Sequence, residues 1–286
     1  SGVDIKLDWN GVTDKLPEGV RVIFYPKSAE GRKIDTYLSV RGGKVKVPPG
    51  RYSVVAYNYD TETVQIRGEE AYETIEAFTG YCNGLGIAGT EKMVWGPDPL
   101  YVVQIDDLHI ANSEEELLLD WKPKLVVKTY SFKIKVEGLE YVSSIVGSVE
   151  GMAGCYCLGR CCGMMNDAPI YFEAQGCSGE VTGSFTAFGL PEGAMSRASL
   201  AIKFTLAFVK VDNTVQKIEV DITDVIVNSE SGEGGGNDEP SKDIELPLDD
   251  DEVKVDKPEN SSGGDGGIGG DVGDWGEEEE VPLPVI

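Results

Sequence analysis

Histidine is almost missing from this chain, with His109 the single one in 286 residues. A hydrolytic triad needs a base, and no nucleophile elbow or serine motif accompanies the surrounding "QIDDLHIAN", so His109 reads as a structural or surface residue. Cationic side chains are scarce as well, with 25 Lys and Arg against 50 Asp and Glu and a formal net charge of −25. Phosphate backbones are bound mainly by basic side chains, so this balance excludes a nucleic-acid partner. It also argues against simple electrostatic adhesion to an anionic bilayer. No uninterrupted apolar run approaches the ~18 residues of a spanning helix. Walker, zincin and EF-hand patterns are lacking, and "GLGIAG" (84–89) has no βαβ unit around it that would make it a dinucleotide loop. Asp106 and Asp107 are adjacent, which on a strand turns two carboxylates apart, and "DDDE" (249–252) lacks the spacing that wraps an ion. The sequence therefore offers no catalytic, cofactor-binding or metal-ligating set, and the chain is not expected to be an enzyme.

What is present is alternation. "IKLDW" (5–9), "VRVIFYP" (20–26), "KVKVP" (44–48) and "RYSVVAYN" (51–58) are short segments of period two separated by Gly, Pro and Asn turns, which predicts antiparallel hairpins with one wet and one dry face. Similar segments occur at 141–151, 170–176, 180–190, 198–212 and 215–223. Strands this short and numerous need a second sheet to bury their apolar faces, so the fold class is all-β, as two antiparallel sandwiches. The pattern breaks at "DWKPKL" and resumes in the Lys-interrupted run 124–139, which predicts modules over 1–123 and 124–286. "NSEEELLLD" (112–120) is the one modest helix candidate, with Asn112 or Ser113 as its cap.

From residue 230 onward there are nineteen acids and three lysines, so 16 of the 25 net negative charges lie in this segment. Its glycine-rich stretches have little apolar surface to bury. "DIELPLDDDEVKVD" (243–256) and "EVPLPVI" (280–286) regain alternation and are expected to add two strands. In the second, Val281, Leu283 and Val285 share one side with Ile286 on the other, and Pro282 and Pro284 confine the strand to an edge. Val281, Leu283, Val285 and Ile286 are therefore the candidate assembly strand.

Cysteine is concentrated: Cys155, Cys157, Cys161 and Cys162 fall within eight positions, with Cys82 and Cys177 outside them. Structural zinc arms are commonly Cys-x₂₋₄-Cys pairs set well apart, and a Cys-x-Cys beside a vicinal pair makes poor arms for one ion. Disulfides among the six are expected, with free thiols and a metal as the other readings and no pairing order deducible.

"VRVIFYP…GGKVKVPPGRYSVVAYNYDTETVQIRG" resembles the N-terminal domain of anchor and accessory subunits of Bacteroidales-type fimbriae, the fimbrillin superfamily. The matching residues are Phe24, Tyr25, Pro26, Pro49, Gly50, Tyr57, Asn58, Asp60, Thr61 and Glu62. "YSFKIKVEGLEYV", "SVEGMAGCYCLG", "GSFTAFGL" and the terminal "DVGDWG" are similar to later parts of the family. The cysteines depart from its pattern and look like a lineage addition. The resemblance implies two transthyretin-like sandwiches, export, and lipid attachment to the outer membrane at a cysteine ahead of Ser1. It further implies fimbrial subunits as partners, a place at the cell surface in the fimbrium, and assembly by strand addition. The alternative expectation is a surface carbohydrate- or ligand-binding module, which would expose a cluster among Trp9, Trp95, Tyr101 and Trp121.

Overall fold

A computed structural model describes residues 2–82, 92–194, 200–231 and 239–259. The strands up to the middle of the chain are β1 (Gly2–Leu7), β2 (Gly19–Pro26), β3 (Ile34–Ser39), β4 (Gly42–Lys46), β5 (Gly50–Asn58), β6 (Val64–Arg67), β7 (Glu76–Thr79), β8 (Tyr81–Cys82), β9 (Met93–Trp95), β10 (Tyr101–Ile110), β11 (Leu117–Trp121) and β12 (Lys124–Leu125). There follow β13 (Lys128–Glu137), β14 (Val142–Glu150), β15 (Ala153–Cys157), β16 (Cys162–Met165), β17 (Ile170–Cys177), β18 (Glu180–Ala187), β19 (Lys203–Lys210), β20 (Val215–Asp221), β21 (Ser241–Asp243) and β22 (Glu252–Lys254), with a helix α1 (Thr223–Ser231) after β20. The architecture is all-β, in sheets that are mostly antiparallel, as the turn-punctuated alternation predicts.

An eight-stranded sheet runs β11-β1-β4-β3-β2-β5-β10-β12. It curls so that Val3 and Ile5 of β1 and Val45 of β4 share one core with Val20, Val22 and Phe24 of β2 and Val54 and Ala56 of β5. The expectation of one wet face fails for the central strands. Ile23, Tyr25, Val55 and Tyr57 point the other way and are buried against Ile75, Ala77, Tyr156 and Leu158. The cause is a small sheet, β16-β15-β7-β6, laid over that second face. Its strands come from both sides of residue 123.

The larger sheet follows the path β20-β19-β14-β17-β18-β13-β21, with β22 also on β13 and β9 joining β17 in parallel. Phe132, Phe172, Phe185 and Phe204 form its aromatic centre, with ring centroids 5.1–6.3 Å apart. The run 124–139 is not one strand: β12 pairs with β10 in the first sheet and β13 opens the second.

Two further differences have physical causes. Residues 112–120 contain no helix; β11 lies parallel to β1 from Val3↔Leu117 to Leu7↔Trp121. A nine-residue helix is marginal alone, and Leu117, Leu119 and Trp121 instead use their period of two to pack on β1. Conversely α1, where no helix is expected, follows β20 at the end of the expected strand 215–223. The Thr223 amide and hydroxyl donate to Asp221 Oδ1 at 2.9 and 2.5 Å, and Ile222 and Ile226, four apart, are buried in the large core. Of the stretch 243–256, only Asp243, the last residue of β21, and the three residues of β22 are strand, each parallel to β13, so the continuous strand expected there is not formed.

Candidate assembly surface

The two ends of the large sheet come back together. β20 is the edge at one end of the strand path, and β22 lies on β13 at the other. They are joined by one side chain: the Gln216 amide donates to the Lys254 carbonyl at 2.8 Å, and Gln216 Oε1 accepts the Asp256 N–H at 2.9 Å. Gln216 stands there as a peptide group of an intervening strand would. Beyond it the gap opens into a groove of about 1030 Å³ lined by Ile218, Val220, Pro247, Leu248 and Val253, with a rim of acids from Glu219 to Asp250. Ile218, Val220, Leu248 and Val253 are half-buried and pack on the large core. The groove floor is therefore an unfinished part of that core, beside a strand whose outer edge has no strand partner among the described residues.

An ionic clasp holds the adjoining segment. Glu230, near the end of α1, pairs with Lys128 and accepts the Tyr130 hydroxyl at 2.8 Å, with Lys242 Nζ at 3.3 Å. Lys242 also donates to the Ser229 carbonyl at 2.6 Å and is 9% exposed. Burial works to raise the Glu230 pKa, but the Lys128 and Tyr130 hydrogen bonds and the charges of Lys128 and Lys242 outweigh it and hold the carboxyl below its usual range. Neither Gln216 nor this clasp was singled out from the sequence; charged residues placed in otherwise apolar alternation were the one available signal.

The cysteines are dispersed over three settings. Cys155 and Cys157 on β15 and Cys162 on β16 belong to the small sheet, Cys82 is buried beside Met93, and Cys177 is exposed opposite Glu180. All six stand as thiols, and among the described residues no group of three or more His, Cys, Asp or Glu is placed to hold a metal. His109 is exposed on β10 opposite Arg51, and Asp106 and Asp107 occupy a β-bulge where Asp107 pairs with Arg51. The acids 249–252 are exposed, while residues 84–89 and Val281, Leu283, Val285 and Ile286 lie outside the described residues.

The four aromatics of the carbohydrate alternative form no shelf. Tyr101 and Trp121 are buried, Trp9 meets Tyr101 edge-on at 5.3 Å, and Trp95 lies on the other sheet against Tyr171. The motif residues of the N-terminal region are structural. Asn58, 3% exposed, donates to the Pro99 carbonyl at 3.0 Å and accepts the Tyr101 amide at 2.7 Å. Asp98 accepts the amides of Glu62, Thr63 and Val64 at 2.6–3.1 Å and so fixes the turn that follows.

Comparison with known proteins matches the same regions. A family model described as a domain of unknown function, DUF5119, covers residues 1–173. The whole chain aligns at 56% identity with 90% of a Bacteroides ovatus protein named as the fimbrium anchoring subunit Fim4B. A crystal structure of a Bacteroides ovatus protein named as an adhesin is 56% identical, with 91% of this chain and 93% of that one covered at a TM-score of 0.77. The fimbrial anchor protein Mfa2 of Porphyromonas gingivalis has the same fold at 10% identity, covering 85% and 87% of the two chains at a TM-score of 0.51. The chain thus belongs to the DUF5119 family and to the superfamily of Bacteroidales fimbrial anchor and accessory subunits that its motifs resemble.

Proposed function

We propose that this protein is a structural anchor subunit of a fimbrium, displayed at the cell surface and held to the outer membrane by a lipid attached ahead of residue 1. Its modules, 1–123 and 124–286, serve as rigid β-sandwich supports, and its partners are other fimbrial subunits. The observation that carries the reading is the groove between β20 and residues 247–254, set in a chain 56% identical to a protein named as an anchoring subunit. Strand addition is the physical mode: a subunit's extended segment supplies peptide groups to the β20 edge and apolar side chains to Ile218, Val220, Leu248 and Val253.

The chain's own Val281, Leu283, Val285 and Ile286 have a different role. Residues i and i+2 of a strand direct their amides to the same side, so Pro282 and Pro284 leave one side of this segment almost without donors. It can close one edge of the C-terminal module but cannot bridge two edges. Deleting residues 277–286 is expected to lower the melting temperature of that module while export persists. A truncated protein that melts unchanged yet sheds its fimbriae would make the segment intermolecular.

The direct test is recovery of the tagged protein from its native envelope. Fimbrial subunits are expected to accompany it, and Ile218→Thr with Val220→Thr is expected to lose them in a protein that still melts cooperatively, at a lowered temperature because both side chains pack on the large core. Undiminished recovery from a folded double variant would move the site away from β20.

A further inference from the structure

Six cysteines allow fifteen complete pairings, and the fold reduces them to one adjacent pair. Cys157 and Cys162 face each other across the β15–β16 hairpin, the last rung before the loop Leu158–Cys161. Leu158 N–H donates to the Ile75 carbonyl at 3.1 Å on the β7 side, so the peptide groups of Cys157 turn the opposite way, towards β16. The pair is therefore the hydrogen-bonded kind, whose Cα atoms sit ~5.5 Å apart in an antiparallel ladder. That Cα separation lies within the usual range of disulfides, near its mode, while the Cβ atoms of such a pair, ~5.5 Å apart, draw in by about 1 Å when the bond forms. Directly opposed residues of a ladder also project to the same face of the sheet. Both cysteines are half-buried, and the Arg160 guanidinium lies 3.5 Å from the Cys162 sulfur.

The remaining thiols are held elsewhere. Cys155 is buried opposite Met164, with the Arg67 guanidinium 3.7 Å from its sulfur, and burial pushes its thiol up to about 12. Cys161 takes a left-handed conformation at φ 51° and its Sγ donates to the Leu158 carbonyl at 3.7 Å. Cys82 and Cys177 belong to the large sheet, opposite Met93 and Glu180.

We propose that Cys157 and Cys162 form a cross-strand disulfide that staples the β15–β16 hairpin once the protein is in an oxidising envelope. The oxidant is a disulfide of the thiol-oxidoreductase or glutathione class. Each cysteine gives up a proton, two electrons reduce that disulfide to two thiols, and one Sγ–Sγ bond forms. The stapled hairpin carries Arg160, paired with Glu192 at 2.5 Å, and its β15 strand pairs with β7 at Tyr156↔Ala77 and Cys157↔Glu76. The bond therefore secures the seam where strands from the two halves of the chain meet. The choice of pair rests on geometry alone, whereas oxidation in the cell rests on the surface location proposed above.

Trypsin cuts after Arg160 and so separates the two cysteines, which makes the bond visible by peptide mass. The full chain, denatured and alkylated without reductant, is expected to show four labelled thiols and a cross-linked peptide pair lighter by two hydrogen atoms than its reduced parts. Cys161→Ser is expected to keep the cross-link, and Cys162→Ser to lose it. Six labelled thiols after incubation with oxidised glutathione would overturn the pairing, as would a cross-link that survives in Cys162→Ser or stoichiometric zinc in the purified protein. A cross-link formed in glutathione but missing from protein recovered from its native envelope would support the pairing and overturn the oxidising location.

Discussion

Gly42 and Glu230 are the residues at which a small change is expected to matter most. Gly42 turns the β3–β4 hairpin at φ 106°, and a Cβ there would lie 1.9 Å from the Ile5 carbonyl oxygen. Gly42→Ala combines a left-handed alanine with a backbone clash, and is expected to cost ~2–4 kcal/mol in chemical denaturation. Glu230→Gln removes the anion from between Lys128 and Lys242, whose side chains are 22% and 7% exposed. Leaving two largely buried ammonium groups without their carboxylate is expected to cost about 3 kcal/mol at pH 7. The sign of the pH dependence follows from the depressed Glu230 pKa. Its contribution is fully present above the ordinary carboxylate range and is lost as pH falls through the lower folded value. Asp35, lowered by its hydrogen bonds from Arg21, has the same sign. Stability of the native protein should fall on acidification in this window, and Glu230→Gln should flatten the fall; a parallel shift of the two curves would assign the acid limb to other groups.

At the scale of elements, β13 and β20 decide how the large sheet ends. β13 is ten residues long, but parallel partners cover it only at Thr129–Ser131 through β21 and at Lys135–Glu137 through β22. Ile244, Leu246 and Val255 attach this segment to the core by side-chain burial, at 5–7% exposure. Leu246→Ala is expected to cost ~2–4 kcal/mol and to accelerate amide exchange of residues 241–255 ahead of the rest of the sheet. Uniform exchange across the sheet would mean that the segment opens only with global unfolding. Much of this layer is legible in the sequence: the hairpins β17–β18 and β19–β20 follow from period two and turn residues, whereas β4 and β5, neighbours across a Pro-Pro-Gly turn, pair with β1 and β3 and with β2 and β10 instead of with each other. β11 and α1 are not legible in it. Their local patterns were ambiguous, and a parallel partner in one case and the buried Ile222–Ile226 pair in the other determined the outcome.

At the scale of the whole molecule, the small sheet is the element that makes one body of two halves. Its second-face core joins Ile23, Val55 and Tyr57 to Tyr156, Leu158 and Phe188. Residues 1–123 produced alone would expose that face, and are expected to aggregate or bind a hydrophobic dye unless residues 124–286 are supplied. A monomeric, cooperatively melting 1–123 fragment would show that the first core suffices. The staple at Cys157 and Cys162 closes a short loop, so by loop entropy it is expected to add about 2 kcal/mol. Reduction should therefore lower the melting temperature by only a few degrees.

The sequence by itself determined the all-β class, the hairpin-rich connectivity and, through its motif order, the family. Those properties are local or additive: alternation, turn chemistry and composition act over a few residues and need no knowledge of what lies across the fold. The tertiary structure decided which strand faces are covered, which edges stay open and which cysteines meet. Each of these depends on residues far apart in the chain, such as Gln216 reaching Lys254, Glu230 reaching Lys128, and β7 receiving β15. Such contacts appear only when the sheets close on their cores, because burial is shared between partners and no single segment carries the pattern of both.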